Sequence, residues 1–348
     1  MANNARILFI GDPHFQITNL HEVNLFLPEM KKLAIESRPD VIIIAGDLLH
    51  THERLHTTVL NKAYEFVRMM RDIAPTYILV GNHDYISNTQ FLTDSHWMNS
   101  MKEWADVEIV DTVRHISLKG SNFILVPYVY PGRFKEALDT VDYNWSTADC
   151  IFAHQEFKGC KMGAIVSEDG DKWDENAPFV VSGHIHSKQR PQPNIYYPGT
   201  PMQIAFGESE DNIVPLLTFS GTKVPDIEES KLEIPGKKIV YLDTNELDKF
   251  ELTGEDKVRI TLSGDHTEFK SIKKTKRYKD LVEQGVKIVF KMNKTPEADI
   301  PGAKDITATD FSEILSTIIS NETDIFLLQA FDKVVNNKIT NREDIFFL

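Results

Sequence analysis

Five short apolar runs in this sequence each end in a small residue followed by a side chain that can bind a metal ion. The runs occupy residues 7–14, 41–47, 76–84, 150–154 and 179–186. Any one such ending is ordinary, because Gly, Asn and Asp are common where a strand passes into a loop. Five in one chain strongly constrain the fold, since side chains that follow buried strands gather at one edge of a sheet.

The first half of the chain alternates strand and helix patterns. Three short, branched apolar runs predict strands buried on both faces, at residues 6–11, 41–45 and 76–80. Amphipathic helices are predicted between them, at residues 21–36 and 56–73. This order predicts parallel strands joined by right-handed crossovers, with polar side chains at the carboxyl ends of the strands.

Shorter strands follow and predict a second sheet packed on the first. A helical stretch over residues 94–104 precedes predicted strands at 107–110, 115–118, 123–127, 148–153 and 178–182. Further edge or second-sheet strands are predicted at residues 194–197 and 214–219. The fold class is therefore α/β, with two sheets flanked by helices.

The sequence predicts three parts. Residues 1–236 form the main domain, and a stretch at 220–238 rich in Gly, Pro and charge marks its end. Residues 237–303 form a small α+β module, with strands at 238–242, 258–262 and 286–290 around a helix at 266–283. Residues 304–348 form a C-terminal helical segment with an apolar stripe in a helix at 309–337 and an apolar end at 345–348.

The charge of the chain argues against a generally basic surface for nucleic acid. The sequence has 38 Lys and Arg against 52 Asp and Glu, a formal net charge of −14. Basic surfaces supply most non-specific affinity for nucleic acid. Nucleic acid is not excluded, because bound divalent cations would neutralise carboxylates and a local basic strip or a basic partner could supply positive charge.

Cellular location is indicated by what the sequence lacks. No apolar run approaches the roughly 20 residues of a membrane-spanning helix, and the polar start lacks the apolar core of a signal peptide. The two cysteines, Cys150 and Cys160, are interpreted as reduced thiols. We therefore expect a cytoplasmic protein that does not associate with membranes.

The candidate ligands comprise three oxygen donors and four imidazoles: Asp12, Asp47, Asn82, His14, His154, His184 and His186. These are more donors than one ion in an open catalytic site would use. Mixed oxygen and imidazole ligands without thiolate suit Mn²⁺, Fe²⁺ or Zn²⁺. Two such ions about 3.5–4 Å apart can activate a water and hold the oxygens of a phosphate, so the set indicates phosphoester hydrolysis.

The series Asp-x-His, Gly-Asp, Gly-Asn-His-Asp, a single His after a strand, and Gly-His-x-His resembles the motifs of calcineurin-like metallophosphoesterases. Within that superfamily, residues 5–220 look most like the SbcD-type DNA nucleases, as do the loop at 197–201 and Phe206-Gly-Glu. The resemblance implies a two-sheet metallophosphoesterase sandwich. It also implies that the module after residue 236 is a capping domain.

The resemblance assigns roles residue by residue. One metal would be held by Asp12, His14, Asp47 and His186, and the other by Asp47, Asn82, His154 and His184, so that Asp47 is the bridge. His83 would stabilise charge on the scissile phosphate or protonate the leaving oxygen, and His50 would assist it. Mn²⁺ is the first choice by resemblance, with Mg²⁺, Fe²⁺ or Zn²⁺ as alternatives. His50 and Thr51 stand where protein phosphatases have Asp and Arg, which counts against that class.

The implied activity is a metal-dependent DNA exonuclease, with endonuclease cleavage as a second mode, in DNA end processing, repair or recombination. Such proteins act on DNA as homodimers with an SbcC-like coiled-coil ATPase, here in the cytoplasm, or in the host cytoplasm if the chain is viral. The chain lacks a Gly-x-x-x-x-Gly-Lys loop, so ATP chemistry would come from that partner. Two alternatives stay open: a small-molecule or cyclic-nucleotide phosphodiesterase, and a non-catalytic scaffold.

Several of these residues also have an ordinary structural interpretation. Asp12 and Asp47 could be helix caps, one of the two histidines at 184 and 186 could be merely exposed, and His50 could belong to a surface loop. Asp84 has no assigned role. The basic stretch from Lys270 to Lys279 is either a solvated helix face or a contact for phosphates. The apolar C-terminal segment either packs on its own domain or docks on a partner.

Overall fold

The predicted alternation of strands and helices forms the centre of the first sheet. In the computed structural model, which describes residues 4–52, 55–222 and 224–292, this sheet 1 has six strands. Their spatial order is Asp226–Ser230, Val214–Phe219, Ala5–Ile10, Val41–Ile44, Thr76–Leu79 and Val107–Val110. The last four strands run parallel and the first two pair antiparallel. The crossover helices are Leu20–Ser37 and Thr57–Arg71.

The second sheet, sheet 2, also has six strands. Their spatial order is Gln189–Gln192, Ile195–Tyr197, Phe179–Gly183, Cys150–His154, Ser121–Val126 and Arg114–Leu118. The four inner strands are parallel, and both edge strands are antiparallel to their neighbours. The predicted α/β class with two packed sheets is confirmed. Parallel strands in both sheets direct their carboxyl ends to the same side of the sandwich.

Alternating side chains of the two sheets build separate apolar layers. Phe9 and Ile43 of sheet 1 pack with Phe152 and Val181 of sheet 2 in the layer between the sheets. On the outer face of sheet 1 a second layer forms under the two crossover helices. A third layer covers the outer face of sheet 2 beneath the helix Phe134–Leu138. The strands are thus buried on both faces, as their continuous apolar runs require.

Several details differ from the sequence-based expectations. The stretch at 220–238, predicted as an irregular boundary, contains the strand Asp226–Ser230, whose half-exposed edge position does not need an apolar run. The helical stretch at 94–104 is a 3-10 helix over Trp97–Glu103. A hairpin of Lys161–Met162 and Ile165–Val166 was not predicted. Strand Val214–Phe219, predicted as an edge or second-sheet strand, lies inside sheet 1.

The small module after residue 236 has a sheet of its own, the cap sheet. Its strands are Lys237–Asp243, Lys257–Gly264 and Lys287–Met292. The single helix predicted over 266–283 is two helices, His266–Ile272 and Lys276–Glu283, because Thr275 accepts a hydrogen bond from the Tyr278 amide and begins a new helix. A 3-10 helix, Thr244–Lys249, follows the first strand. The predicted domain boundaries remain predictions.

Two further expectations concern the whole chain. Cys150 and Cys160 are both buried and free, as expected for reduced thiols. Within the described ranges, no helix combines the length and the apolar character needed to cross a membrane. The C-terminal helical segment predicted over 304–348 lies outside the described residues.

The layer between the sheets predicts a large effect for Phe152→Ala. This ring is fully buried and lies 5.8 Å from the rings of both Phe9 and Phe123. Its removal leaves a cavity that should lower the free energy of unfolding by about 3–5 kcal/mol. Urea denaturation measures the change, with Ile165→Ala as control because Ile165 is 66% exposed. A destabilisation no larger than that of the control would contradict the assigned core.

Candidate metal centre

The seven candidate ligands lie at the carboxyl ends of strands from both sheets. Asp12, Asp47 and Asn82 follow three successive parallel strands of sheet 1. His154 is the last residue of its strand in sheet 2, directly opposite Gly183 in the parallel register. His184 follows Gly183, so its backbone begins at the same edge, and its amide donates to Asp12 Oδ2 at 2.6 Å. The fold therefore brings together residues that are far apart in the sequence.

One group of donors is formed around His14 and His186. Their Nε2 atoms lie 3.0 Å apart, and ligand atoms of Asp12, His14 and His186 all lie within 4.8 Å of one another. His14 Nε2 is 3.6 Å from Asp47 Oδ2. This group matches the first of the two ligand sets that the resemblance implies.

A second group is formed around the Asn82 carboxamide. Asn82 Oδ1 lies 3.0 Å from His154 Nε2 and 2.9 Å from His184 Nδ1. His154 Nε2 is also 3.5 Å from Asp47 Oδ2. The structure thus brings together the four side chains that the resemblance assigns to the second metal.

Asp47 belongs to both groups through a single oxygen. Its Oδ2 is the atom near both His14 and His154, whereas its Oδ1 accepts a hydrogen bond of 2.8 Å from the His83 amide. The carboxylate is 2% exposed. It can therefore bridge two cations that are held one by each group.

The donor chemistry at the centre fits bound cations. His154 Nδ1 donates to the Ala45 carbonyl at 2.8 Å, so a neutral His154 presents a lone pair at Nε2 toward the Asn82 oxygen. Asp12 Oδ1 is buried and has no hydrogen-bond partner among the residues that the structure describes. Lone pairs that face one another in a buried space are unfavourable unless a proton or a cation lies between them. Divalent ions with oxygen and imidazole ligands satisfy this arrangement.

The charges of the metal-free centre follow from burial and from mutual attraction. Burial opposes the imidazolium, but Asp47 and Asp12 outweigh it and raise the pKa of His154 to about 9. Burial raises the pKa of Asp12, and burial lowers that of His14. Burial would also raise the pKa of Asp47, but His154 and His14 hold it well below its usual range. A proton on His154 thus occupies the position that a cation would take.

The backbone at three candidate ligands lies in the left-handed region. His14 and Asp47 both have φ of 47°, and His184 has φ of 78°. Non-glycine residues adopt this region at a cost of order 1–3 kcal/mol and are concentrated at functional sites. Two glycines leave the necessary space, because an added Cβ would lie 2.2 Å from Asp47 Oδ1 at Gly81 and 2.4 Å from Asp12 Oδ1 at Gly183.

The structure places His83 beside the centre, where its ring centroid is 5.0 Å from that of His14. Its Nδ1 donates to the His50 carbonyl at 2.7 Å, which leaves Nε2 for another partner. Burial lowers the pKa of both histidines. The His50 ring stacks on the His83 ring with centroids 5.5 Å apart, and its Nδ1 lies 3.4 Å from His14 Nδ1. His50 therefore contacts His83 through both its carbonyl and its ring.

Asp84, left without a role by the sequence, holds the backbone around Asp47. Its Oδ2 accepts hydrogen bonds from the amides of Asp47 and Gly81, at 2.7 and 3.0 Å. Its Oδ1 accepts from the Trp97 indole at 2.9 Å. Burial, followed by the nearby Asp47, raises the pKa of Asp84 to about 7. Asp84 thus fixes the turn that presents the shared carboxylate.

Two acidic side chains next to the candidate ligands were missed as functional residues. Glu208 Oε1 lies 3.0 Å from His186 Nδ1, and Glu156 Oε2 lies 3.9 Å from His184 Nε2. Both lie in loops without periodicity, where sequence spacing predicts no contact. Glu208 had one signal, its place in Phe206-Gly-Glu.

Comparison with known proteins agrees with this geometry. A family model described as calcineurin-like phosphoesterase matches residues 5–188, a span that contains all seven candidate ligands. The chain belongs to the calcineurin-like phosphoesterase family. Membership supports the use of divalent metals and hydrolysis of phosphoesters, and the clustered Asp and His side chains could hold such ions.

Two viral relatives are similar over most of their length. "Putative phosphoesterase 244L" of Invertebrate iridescent virus 6 is 49% identical over 280 residues, which cover 79% of this chain and 99% of that protein. "Putative phosphoesterase 078R" of Invertebrate iridescent virus 3 is 43% identical over 301 residues, covering 85% and 86%. A solved structure of GAP50, the anchor in the inner membrane complex of Plasmodium, is 12% identical with a TM-score of 0.35, covering 66% of this chain and 89% of that chain.

The proton on His154 makes metal binding by this phosphoesterase dependent on pH. Because the pKa of His154 is raised to about 9, most of the metal-free protein carries that proton at neutral pH. The ion must displace it, so affinity should rise by about tenfold per pH unit until the pH reaches the pKa. Calorimetric titration with Mn²⁺ in buffers of different ionisation enthalpy measures the protons released. A binding enthalpy that is the same in every buffer would contradict proton displacement.

Proposed function

We propose that this phosphoesterase is a two-metal nuclease that hydrolyses phosphodiester bonds in DNA, as an exonuclease with endonuclease cleavage as a second mode. The observation that carries the proposal is the position of Asp47 Oδ2 between two donor groups, with His83 beside them. When bound, two divalent ions would hold phosphate oxygens and lower the pKa of the attacking water. Mn²⁺ is the first choice, with Mg²⁺, Fe²⁺ or Zn²⁺ as alternatives.

His83 is suited to act on the phosphate without binding a metal. Its amide donates to Asp47 Oδ1 and its Nδ1 donates to the His50 carbonyl, so both its backbone and its ring are fixed. The other ring nitrogen, Nε2, can hold a proton near the leaving oxygen or donate to a phosphate oxygen. This supports a role in the chemical step rather than in metal binding.

His83→Gln should separate these two roles. Loss of the imidazole should lower the rate of DNA cleavage by about 10²–10⁴-fold, the usual contribution of a positioned acid or base. Calorimetry should show that Mn²⁺ still binds with unchanged stoichiometry, since His83 belongs to neither donor group. His21→Gln is the control, because His21 is exposed on the helix Leu20–Ser37. Loss of metal binding in His83→Gln would contradict the assigned role.

DNA, rather than a small phosphodiester, is favoured by the lysine-rich stretch of the cap module. Five lysines of this stretch are exposed, within and between the helices His266–Ile272 and Lys276–Glu283: Lys270, Lys273, Lys274, Lys276 and Lys279. Arg277 instead donates to the Phe250 carbonyl. Exposed lysines concentrated in one stretch of an acidic chain suit contacts with successive phosphates. The cap contacts the loop that carries Glu208, because Arg259 lies over the Phe206 ring at 5.2 Å.

Charge reversal on the cap tests this interaction with phosphates. The double variant Lys274→Glu and Lys279→Glu should weaken DNA binding. The slope of log affinity against log salt concentration should become smaller by about one for each phosphate that is no longer neutralised. Hydrolysis of a small chromogenic phosphodiester should not change. The matched control is Lys31→Glu with Lys32→Glu, two exposed lysines of the helix Leu20–Ser37.

If the cap and control variants bind and cut DNA alike, the cap lysines are only a solvated face. Rapid turnover of the small phosphodiester with no cleavage of DNA would instead identify a small-molecule phosphodiesterase. Action with an SbcC-like ATPase, as a homodimer on DNA in the cytoplasm, belongs to the same proposal. Residues 304–348, for which both packing on their own domain and docking on that partner were left open, lie outside the described residues.

A further inference from the structure

Glu208 fixes the orientation of the candidate ligand His186. Glu208 Oε1 lies 3.0 Å from His186 Nδ1, and a carboxylate can only accept this hydrogen bond. The proton of a neutral His186 therefore sits on Nδ1. The lone pair is left on Nε2, which lies 3.0 Å from His14 Nε2 in the first donor group. A carboxylate behind a metal-binding histidine fixes both its tautomer and its ring orientation.

The Glu208 carboxylate is itself held by the backbone of its own loop. Its second oxygen, Oε2, accepts hydrogen bonds from the amides of Ile204 and Ala205, at 2.7 and 2.9 Å. Gln203 Nε2 donates to the Glu208 carbonyl at 3.2 Å. Rotation of the carboxylate away from His186 would leave two amides without their acceptor. The loop 203–208 thus acts as one unit.

This loop is tied to the first strand of the cap sheet by Lys237. The Lys237 ammonium donates to the carbonyls of Gln203 and Ile204, at 2.7 and 2.8 Å. Its amide donates to Gln203 Oε1 at 2.6 Å. Lys237 is 8% exposed, and its ammonium lies 3.5 Å from Glu22 Oε1 on a crossover helix. A buried ammonium with these partners holds the loop and the cap strand in one arrangement.

We propose that Glu208 is a positioning residue for His186 and that Lys237 couples this position to the cap sheet, so that the affinity for one of two divalent ions depends on the cap. The inference rests on the two-metal centre proposed above. The path runs from the cap strand through Lys237 to the loop 203–208, then through Glu208 to His186. Each link is a direct hydrogen bond between named atoms.

The effect of Glu208→Gln follows from hydrogen-bond directions. The carboxamide has one acceptor oxygen where the carboxylate has two, and the amides of Ile204 and Ala205 need that acceptor. The NH₂ group then faces His186 and donates to Nδ1, which moves the imidazole proton to Nε2 and blocks the lone pair. We expect the affinity for one of the two Mn²⁺ ions to fall by about 10–100-fold, the usual range for loss of such a partner.

The experiment is calorimetric titration of the full-length chain with Mn²⁺, and the stoichiometry is checked by electron paramagnetic resonance of free Mn²⁺. Glu208→Asp retains the negative charge and should recover part of the affinity. Lys237→Met should lower the affinity for the same ion, but by a smaller factor than Glu208→Gln does. The matched controls are Glu210→Gln and Lys238→Met, because both residues are exposed neighbours of the tested ones. Thermal unfolding without metal tests whether each variant is folded.

The proposal would be supported if Glu208→Gln lowers the affinity for only one of the two ions while Glu210→Gln leaves the affinity for both unchanged. Equal binding of both ions by wild type and Glu208→Gln would overturn it while leaving the two-metal centre intact. Wild type that does not bind two ions would overturn both proposals together. Normal binding by Lys237→Met would overturn the coupling to the cap. If Glu208→Gln does not fold, full affinity in a folded Glu208→Asp together with normal binding by Lys237→Met would overturn the proposal.

Discussion

The shared carboxylate of Asp47 is the interaction on which the rest of the site depends. One of its oxygens lies within 3.6 Å of imidazole nitrogens from both donor groups. The other oxygen accepts a hydrogen bond from the His83 amide. This position requires a left-handed backbone at Asp47 and an acceptor for the Asp47 amide, which Asp84 supplies. It also requires glycine at residue 81, because a side chain there would collide with the carboxylate. Each requirement is local. Together they explain why a Gly-Asp turn and a Gly-Asn-His-Asp turn face one another across adjacent strands.

The two-sheet sandwich brings distant parts of the chain together, which the local turns cannot do. Asp12 and the His184 amide are 172 residues apart in sequence and are hydrogen bonded. They meet because the parallel strands of both sheets end on the same side, and because the layer between the sheets fixes their separation. A ligand set drawn from two sheets can be held only if the sheets cannot slide. The buried rings of Phe9, Phe123 and Phe152 provide that resistance.

The sequence was most informative where chemistry and strand ends coincide. Continuous apolar runs followed by Asp, Asn or His predicted both the buried strands and the side chains gathered at their ends. Strand Asp226–Ser230 was not visible in the sequence, because it is defined by pairing with a neighbouring strand and has no apolar run. The helix break at Thr275 was missed for a different reason, since it depends on a local cap and not on the apolar pattern. Glu208 reaches His186 across a loop of irregular backbone, so no periodicity could predict that contact.

The two donor groups by themselves raise the free energy of the folded state. They combine a strained backbone with lone pairs that face one another at about 3 Å. The stability of this arrangement must therefore come from elsewhere in the fold. Three apolar layers surround the donor groups without using any of their ligands, so the sandwich can hold the donors in place before an ion arrives. Preorganisation of this kind reduces the free-energy cost of ordering the ligands around a cation. It also means that a change in a supporting interaction, such as the Glu208 hydrogen bond, should alter ion affinity more than it alters the stability of the fold.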